Sequence, residues 1–204
     1  MKKVILFLVL SLTLAAVISL AGCGGSPSTP PLTYTVGDTG PAGGLIFYDK
    51  GSYSDGWRYM EATPSDQSTG TGMQWYNGTY VVTGATGTTI GTGQANTTAI
   101  VIIQGAGNYA AQLCNDLIVS GFNDWFLPSK DELNQMYVNL HLQGVGGFAG
   151  YSSYWSSSEW SSSEYAAGGN AWAQYFYDGD QFGVDKDSYY GRVRAVGIFN
   201  QLSI

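Results

Sequence analysis

An uncharged apolar run of 17 residues, 4–20, follows Lys2 and Lys3 and takes the start of this chain out of any globular fold. A short basic segment ahead of an apolar stretch is the pattern of a secretory signal. A run of that length also sits at the short edge of the roughly 17 to 25 residues that span a bilayer, so a retained membrane helix is the competing reading. Residues 24–31, GGSPSTPP, have no apolar face and read as an extended tether. Folding then falls to the residues from about 34 onward, enough for one domain with a sizeable core. The whole chain holds 29 Gly, 15 Tyr and 6 Trp but few charged residues, which predicts strands, tight turns and aromatic packing over solvated helices.

The motif Leu20-Ala21-Gly22-Cys23 resembles the lipobox of bacterial lipoproteins, in which the cysteine is acylated and the signal is cut just before it. That resemblance implies a signal peptide over 1–22, a lipidated Cys23 with a flexible tether over 23–33, and a domain over 34–204. It also implies a membrane partner reached through the lipid. Gly24, where an Asp would retain many lipoproteins at an inner membrane, favours the bacterial outer membrane or cell surface. With Cys23 acylated, Cys114 has no disulfide partner. Loss of Lys2 and Lys3 leaves six basic against 15 acidic side chains, a formal charge of −9, which repels nucleic acid.

Residues 44–50 and 57–62 are β-rich runs separated by a Ser/Asp/Gly turn over 51–56, a hairpin pattern. From 68 to 98 the chain is crowded with Thr and Gly and predicts a long irregular excursion pinned by Trp75, Tyr76 and Tyr80. Ala110, Leu113, Cys114, Leu117 and Ile118 recur at helical spacing before Gly121, and Ser129 with Glu132 forms a capping box ahead of Leu133, Met136, Tyr137 and Leu140. Strands are expected at 154–159, 171–177, 180–184 and 192–199, making the last third a sheet.

At Asp124-Trp-Phe-Leu-Pro-Ser-Lys-Asp-Glu-Leu133, Tyr154-Trp-Ser-Ser-Ser-Glu159 and Arg192-Val-Arg-Ala-Val196, the chain resembles the Lcl C-terminal (DUF1566) family. The resemblance runs from Tyr34 to Phe199. It implies an α+β, C-type-lectin-like fold related to formylglycine-generating enzymes and to the variable proteins of diversity-generating retroelements, the Treponema group among them. Two helices would flank a small twisted antiparallel sheet with long irregular Gly/Thr-rich insertions. The chain ends would lie near each other, and the last strands and loops would form the binding face. Pro128, Ser129, Glu132 and Ser156 to Ser158 read as scaffold, and Trp155 and Trp172 as core.

Residues 177–191 are rich in Tyr, Asp, Ser and Gly, a mixture like that of antibody paratopes. In retroelement-diversified proteins, mutation of adenines in Asn codons can yield Asp, Tyr, Ser, Gly, Phe and Val, but cannot yield Trp172, Gln174, Gln181 or Lys186. An ordinary acidic, Gly-rich loop is the other reading. The expected ligand-binding residues are Trp160, Tyr165, Asn170, Tyr175, Tyr177, Asp178, Asp180, Phe182, Asp185, Asp187, Ser188, Tyr189 and Tyr190. Their ligand would be a protein or glycan on another cell or host. The alternatives are a structural envelope lipoprotein with no diversified site and, last, an enzyme of the formylglycine-generating type, which would need a thiol in an open pocket.

Catalytic residues, cofactors and metals are not expected. Cys114 falls on the apolar stripe of a helix, and His141 is a thin companion for it. Asp178, Asp180, Asp185 and Asp187 offer hard oxygen ligands, but their spacing does not follow an EF-hand loop. Arg192 and Arg194 alternate onto one face of the expected final strand. There they pair with Glu159 or a neighbouring Asp, or else meet an acidic ligand.

Overall fold

The computed structural model describes residues 32–68, 70, 72–160, 168–188 and 191–199, so Cys23, Tyr165, Tyr189 and Tyr190 lie outside the described residues. The fold is α+β. In chain order it comprises β1 (Leu45–Ser54), β2 (Trp57–Ala62), α1 (Gly93–Gln104), α2 (Ala110–Asn115) and α3 (Lys130–Asn139). A 3₁₀ turn (His141–Gln143) leads to β3 (Ser153–Trp160), β4 (Asn170–Tyr175), β5 (Gln181–Asp185), β6 (Gly191–Arg192) and β7 (Val196–Phe199).

The expected hairpin forms as β1 and β2, but β1 continues through Ser54, and the turn is only Asp55-Gly56. Both turn residues have positive φ, 52° and 86°, the geometry that matches the twist of two antiparallel strands. β7 pairs antiparallel with β2, placing Val196 opposite Ala62 and Phe199 opposite Tyr59. Tyr34 then packs edge-on against both Tyr59 and Phe199, at centroid distances of 5.4 and 5.7 Å, so the two ends of the described domain meet.

A second sheet has the order β5-β4-β3-β6. Here the expectation of one antiparallel sheet fails twice. Residues 192–199 do not form one strand: β6 pairs parallel with β3, and the chain then crosses to the first sheet as β7. The reason is lateral. Trp155 blocks β6 from carrying a side chain at Gly191, where a Cβ would lie 2.2 Å from Trp155 Nε1, and Arg194 turns away to the partly buried Asp66.

The second sheet separates two cores. Trp155, Ala171, Ala173 and Val193 face a cluster with Trp75, Tyr109, Cys114 and Ile100, whereas Tyr154 faces Phe47, Met60, Leu133, Met136 and Phe176. Trp75 pins the irregular excursion as expected, its Nε1 donating to the Ser156 carbonyl at 2.8 Å. Tyr80 is 44% exposed, yet it packs on the buried Tyr76 and its hydroxyl hydrogen-bonds Asp187.

Three α-helices are present among the described residues, where two were expected. α1 occupies the end of the supposed irregular stretch. Its buried face is Gly93, Asn96, Thr97 and Ile100, while Ile102 and Ile103 are exposed, so no apolar stripe marks it. Hydrogen bonds hold that polar face. The Asn96 amide brackets both backbone groups of Gly87, and Thr97 Oγ1 bonds both backbone groups of Leu127. α2 ends at Asn115, earlier than its spacing suggested, with Ile118 70% exposed. α3 begins with the expected capping box, in which Ser129 and Glu132 serve each other's backbone N–H groups. No helix among the described residues is long and apolar enough to cross a membrane.

Glu132 does more than cap. Its fully buried carboxylate also accepts from the N–H groups of Gly91 and Gly93, joining the start of α1 to the start of α3. Glu132→Ala leaves these buried donors unmatched at a cost of about 3 to 5 kcal/mol. Thermal unfolding should show a fall in Tm of roughly 10 °C or more. Glu61, buried between β1 and β2, accepts from the N–H groups of Ala42 and Gly44. Burial outweighs those bonds and pushes its carboxyl from 4.5 up to about 7. Its protonated form is thus favoured by folding, and the stability it contributes is lost as pH rises from about 4.5 through about 7. Tm should fall between pH 5.5 and 8, and Glu61→Gln should flatten that fall.

Candidate ligand-binding face

β4 and β5 are joined by a turn over 176–180 that its own residues specify. Asp178 Oδ1 accepts from the Asp180 N–H at 3.0 Å, and Gly179 has φ 86°. A Cβ on Gly179 would meet the Tyr137 ring at 2.5 Å, so glycine lets the turn press against α3. The antiparallel register sets Ala173 opposite Phe182 and Trp172 opposite Gly183, which assigns alternate residues to two faces.

One face is anchored. The buried Gln174 amide donates to Asn134 Oδ1 at 2.8 Å and to the Gly179 carbonyl at 3.0 Å, and Gln181 Nε2 donates to the Lys130 carbonyl at 2.8 Å. Trp172 is on this face too. It is half-buried and not a core residue as expected, because Lys130 Nζ lies 4.5 Å from its ring centre and Trp160 stacks on it at 5.2 Å. Gly183 makes room for Trp160, whose ring would overlap any Cβ there. At the far end of this row, the Asn170 amide, oriented to satisfy both its atoms, donates to Asp185 Oδ1 at 2.8 Å.

The opposite face carries Ala171, Ala173, Tyr175, Phe182 and Val184 over Trp155. Tyr175 stacks on Phe182 at 4.1 Å and touches Tyr177 at 5.1 Å, giving a continuous aromatic wall. Beside that wall is an open hollow of about 460 Å³, to which Tyr175, Phe182, Val184, Ser188 and Arg192 contribute, with Tyr151 98% exposed at the rim. Trp155 is its floor, fixed by an Nε1 bond to the Met73 carbonyl at 2.8 Å. Arg192 Nε donates to Ser152 Oγ at 3.0 Å, and its Nη1 lies 3.2 Å from Asp66 Oδ2.

The expected site residues therefore divide. Tyr175, Phe182 and Ser188 meet at the hollow; Tyr177, Asp178 and Asp180 form the exposed turn beside it. Trp160, Asn170 and Asp185 lie across the sheet, and Asp187 is exposed beyond β5, its carbonyl accepting from Gln74 Nε2. Sequence reasoning missed Tyr151 and Val184, which no motif marks, and read Trp155 as core only. No family model matches the chain, and no curated protein matches it.

The neighbouring ionisable groups are paired or enclosed. Arg192 and Arg194 share Asp66, and Arg194 is 1% exposed, with its Nη1 donating to the carbonyls of Thr63 and Gly146. Glu159 pairs instead with the buried Lys186 and accepts from the N–H groups of Thr83 and Gly84. Cys114 is fully buried, which pushes its thiol up. His141 stacks on Tyr137 and Phe176 in the other cluster. No three His, Cys, Asp or Glu side chains converge as a metal site among the described residues.

The Lys186–Glu159 pair fixes the end of β5 against β3 with the loop at 81–84. Lys186→Met should destabilise the domain by about 3 to 5 kcal/mol, because a buried carboxylate loses its counter-charge. The double variant Lys186→Met/Glu159→Gln should regain a measurable part of that loss in a denaturant titration.

Proposed function

We propose that this chain is a lipid-anchored binding module whose β4–β5 region displays a variable ligand-binding face on a C-type-lectin-like scaffold of the Lcl C-terminal (DUF1566) kind. One observation carries the reading. In the stretch 172–188, the residues adenine mutagenesis of Asn codons cannot produce are tied into the scaffold: Gln174 and Lys186 are fully buried, Gln181 bonds α3, and Trp172 contacts Lys130 and Trp160. The exposed positions Tyr175, Tyr177, Asp178, Asp180, Asp185 and Asp187 are all of types it can produce.

The meeting of Tyr34 with Phe199 supports the scaffold assignment, since chain ends that lie together are what the resemblance implies. A binding role is favoured over thiol chemistry by the enclosure of Cys114. The ligand is a protein or glycan on another cell or host. The protein is held by a lipid on Cys23 at the outer membrane or cell surface, and Cys23→Ala should abolish incorporation of labelled palmitate.

Sequencing the genomic neighbourhood tests the diversified face. A near-copy of the DNA for 154–199, beside a reverse transcriptase gene, should differ only at adenines and never at the codons for Trp172, Gln174, Gln181 or Lys186. Differences scattered over the buried residues would instead leave a structural envelope lipoprotein with no diversified site.

A further inference from the structure

Resting on the binding-module reading, the charge around the hollow narrows the ligand class. Arg192 and Arg194 face a single carboxylate, Asp66, so the three side chains carry a formal charge of +1 inside an acidic domain. The sharing is uneven. Buried Arg194 approaches Asp66 at 2.7 and 2.8 Å, whereas Arg192 stands at 3.2 Å and keeps 25% of its side chain exposed. Arg194 therefore takes most of the Asp66 charge, and the residual positive charge resides on Arg192. No acidic side chain among the described residues lines the hollow beside it.

The remaining lining fits a sugar ring. At about 460 Å³ the hollow is near the small end of ligand pockets, which suits a monosaccharide or disaccharide over a long chain. The Tyr175–Phe182 wall offers apolar surface to a ring, and Ser188 adds a polar residue to the lining. A peptide bound by strand addition would run along the edge strand β5, but the hollow lies over the face of the sheet. We propose that the hollow binds a carboxylate-bearing sugar, with Arg192 as the charge partner of the carboxylate and the Tyr175–Phe182 wall as the surface for the ring. A guanidinium meets a carboxylate through two parallel hydrogen bonds, which a neutral sugar cannot reproduce.

Ligand-observed NMR on the full chain tests this, with glucuronic acid and N-acetylneuraminic acid set against glucose and N-acetylglucosamine, and a tripeptide with a free C-terminus as the competing carboxylate. The acidic sugars should bind at least tenfold more tightly than the neutral ones, and Arg192→Gln should remove that difference. Should Arg192→Gln lower Tm sharply, Ser188→Trp fills the hollow without touching the ion pairs and should abolish acidic-sugar binding. Equal affinity for acidic and neutral sugars, tighter binding of the tripeptide, retention of acidic-sugar binding by Ser188→Trp, or no binding of any probe would each overturn the proposal. A diversified gene copy found for a protein that binds no acidic sugar defeats this inference alone. Acidic-sugar binding without such a copy defeats only the diversified reading.

Discussion

Much of this domain depends on one buried carboxylate. Glu132 accepts from backbone N–H groups at Gly91, Gly93 and Ser129, and so fixes where two helices begin. A charge in that position is tolerable because three main-chain donors and the Ser129 side chain surround it, and their pull partly offsets the burial that raises the carboxyl to about 6. Gly93 is required beside it, since a Cβ there would lie 2.3 Å from Glu132 Oε2. The consecutive buried serines of β3, Ser156 to Ser158, extend the same principle. Ser157 N–H and Oγ both donate to the Pro128 carbonyl, and Ser158 Oγ accepts from Lys130 N–H while donating to Gly87. Polar side chains here hold the described residues between β2 and α1, which form neither helix nor extended strand.

This arrangement explains what could be read from the chain and what could not. The capping box, the β1–β2 hairpin, and β3, β4 and β5 to within two residues follow from local signals that need no partner: Ser129 with Glu132, Asp55-Gly56, and β-rich runs. Helix α1 could not be read that way, because Ile100 is its only fully buried apolar side chain, and the buried Asn96 and Thr97 beside it find partners far along the chain. The splitting of 192–199 between two sheets was likewise invisible, since it depends on Trp155 standing beside Gly191 and on Asp66 drawing in Arg194.

The candidate site shows the same division. Composition singles out one stretch of chain, because Tyr, Asp and Gly are concentrated there. Alternation along β4 and β5, however, sends neighbours to opposite faces, so a contiguous set of residues became a wall, a turn and a reverse side. Arg192 was weighed only as one of a pair with Arg194. Their difference in burial, which makes one structural and leaves the other at the hollow, arises from packing across 126 residues of sequence to Asp66 for Arg192 and 128 for Arg194.

The two-faced hairpin has a consequence for engineering. With Gln174, Gln181 and Lys186 held by partners outside the wall, and Asp178 left to hold the turn, the exposed positions at 175, 177 and 180 can be altered as a block while the anchoring row stays untouched. A library randomised there would sample new surfaces on an unchanged chassis, much as loop grafting does on an antibody framework. Its members would differ in what they hold far more than in whether they fold.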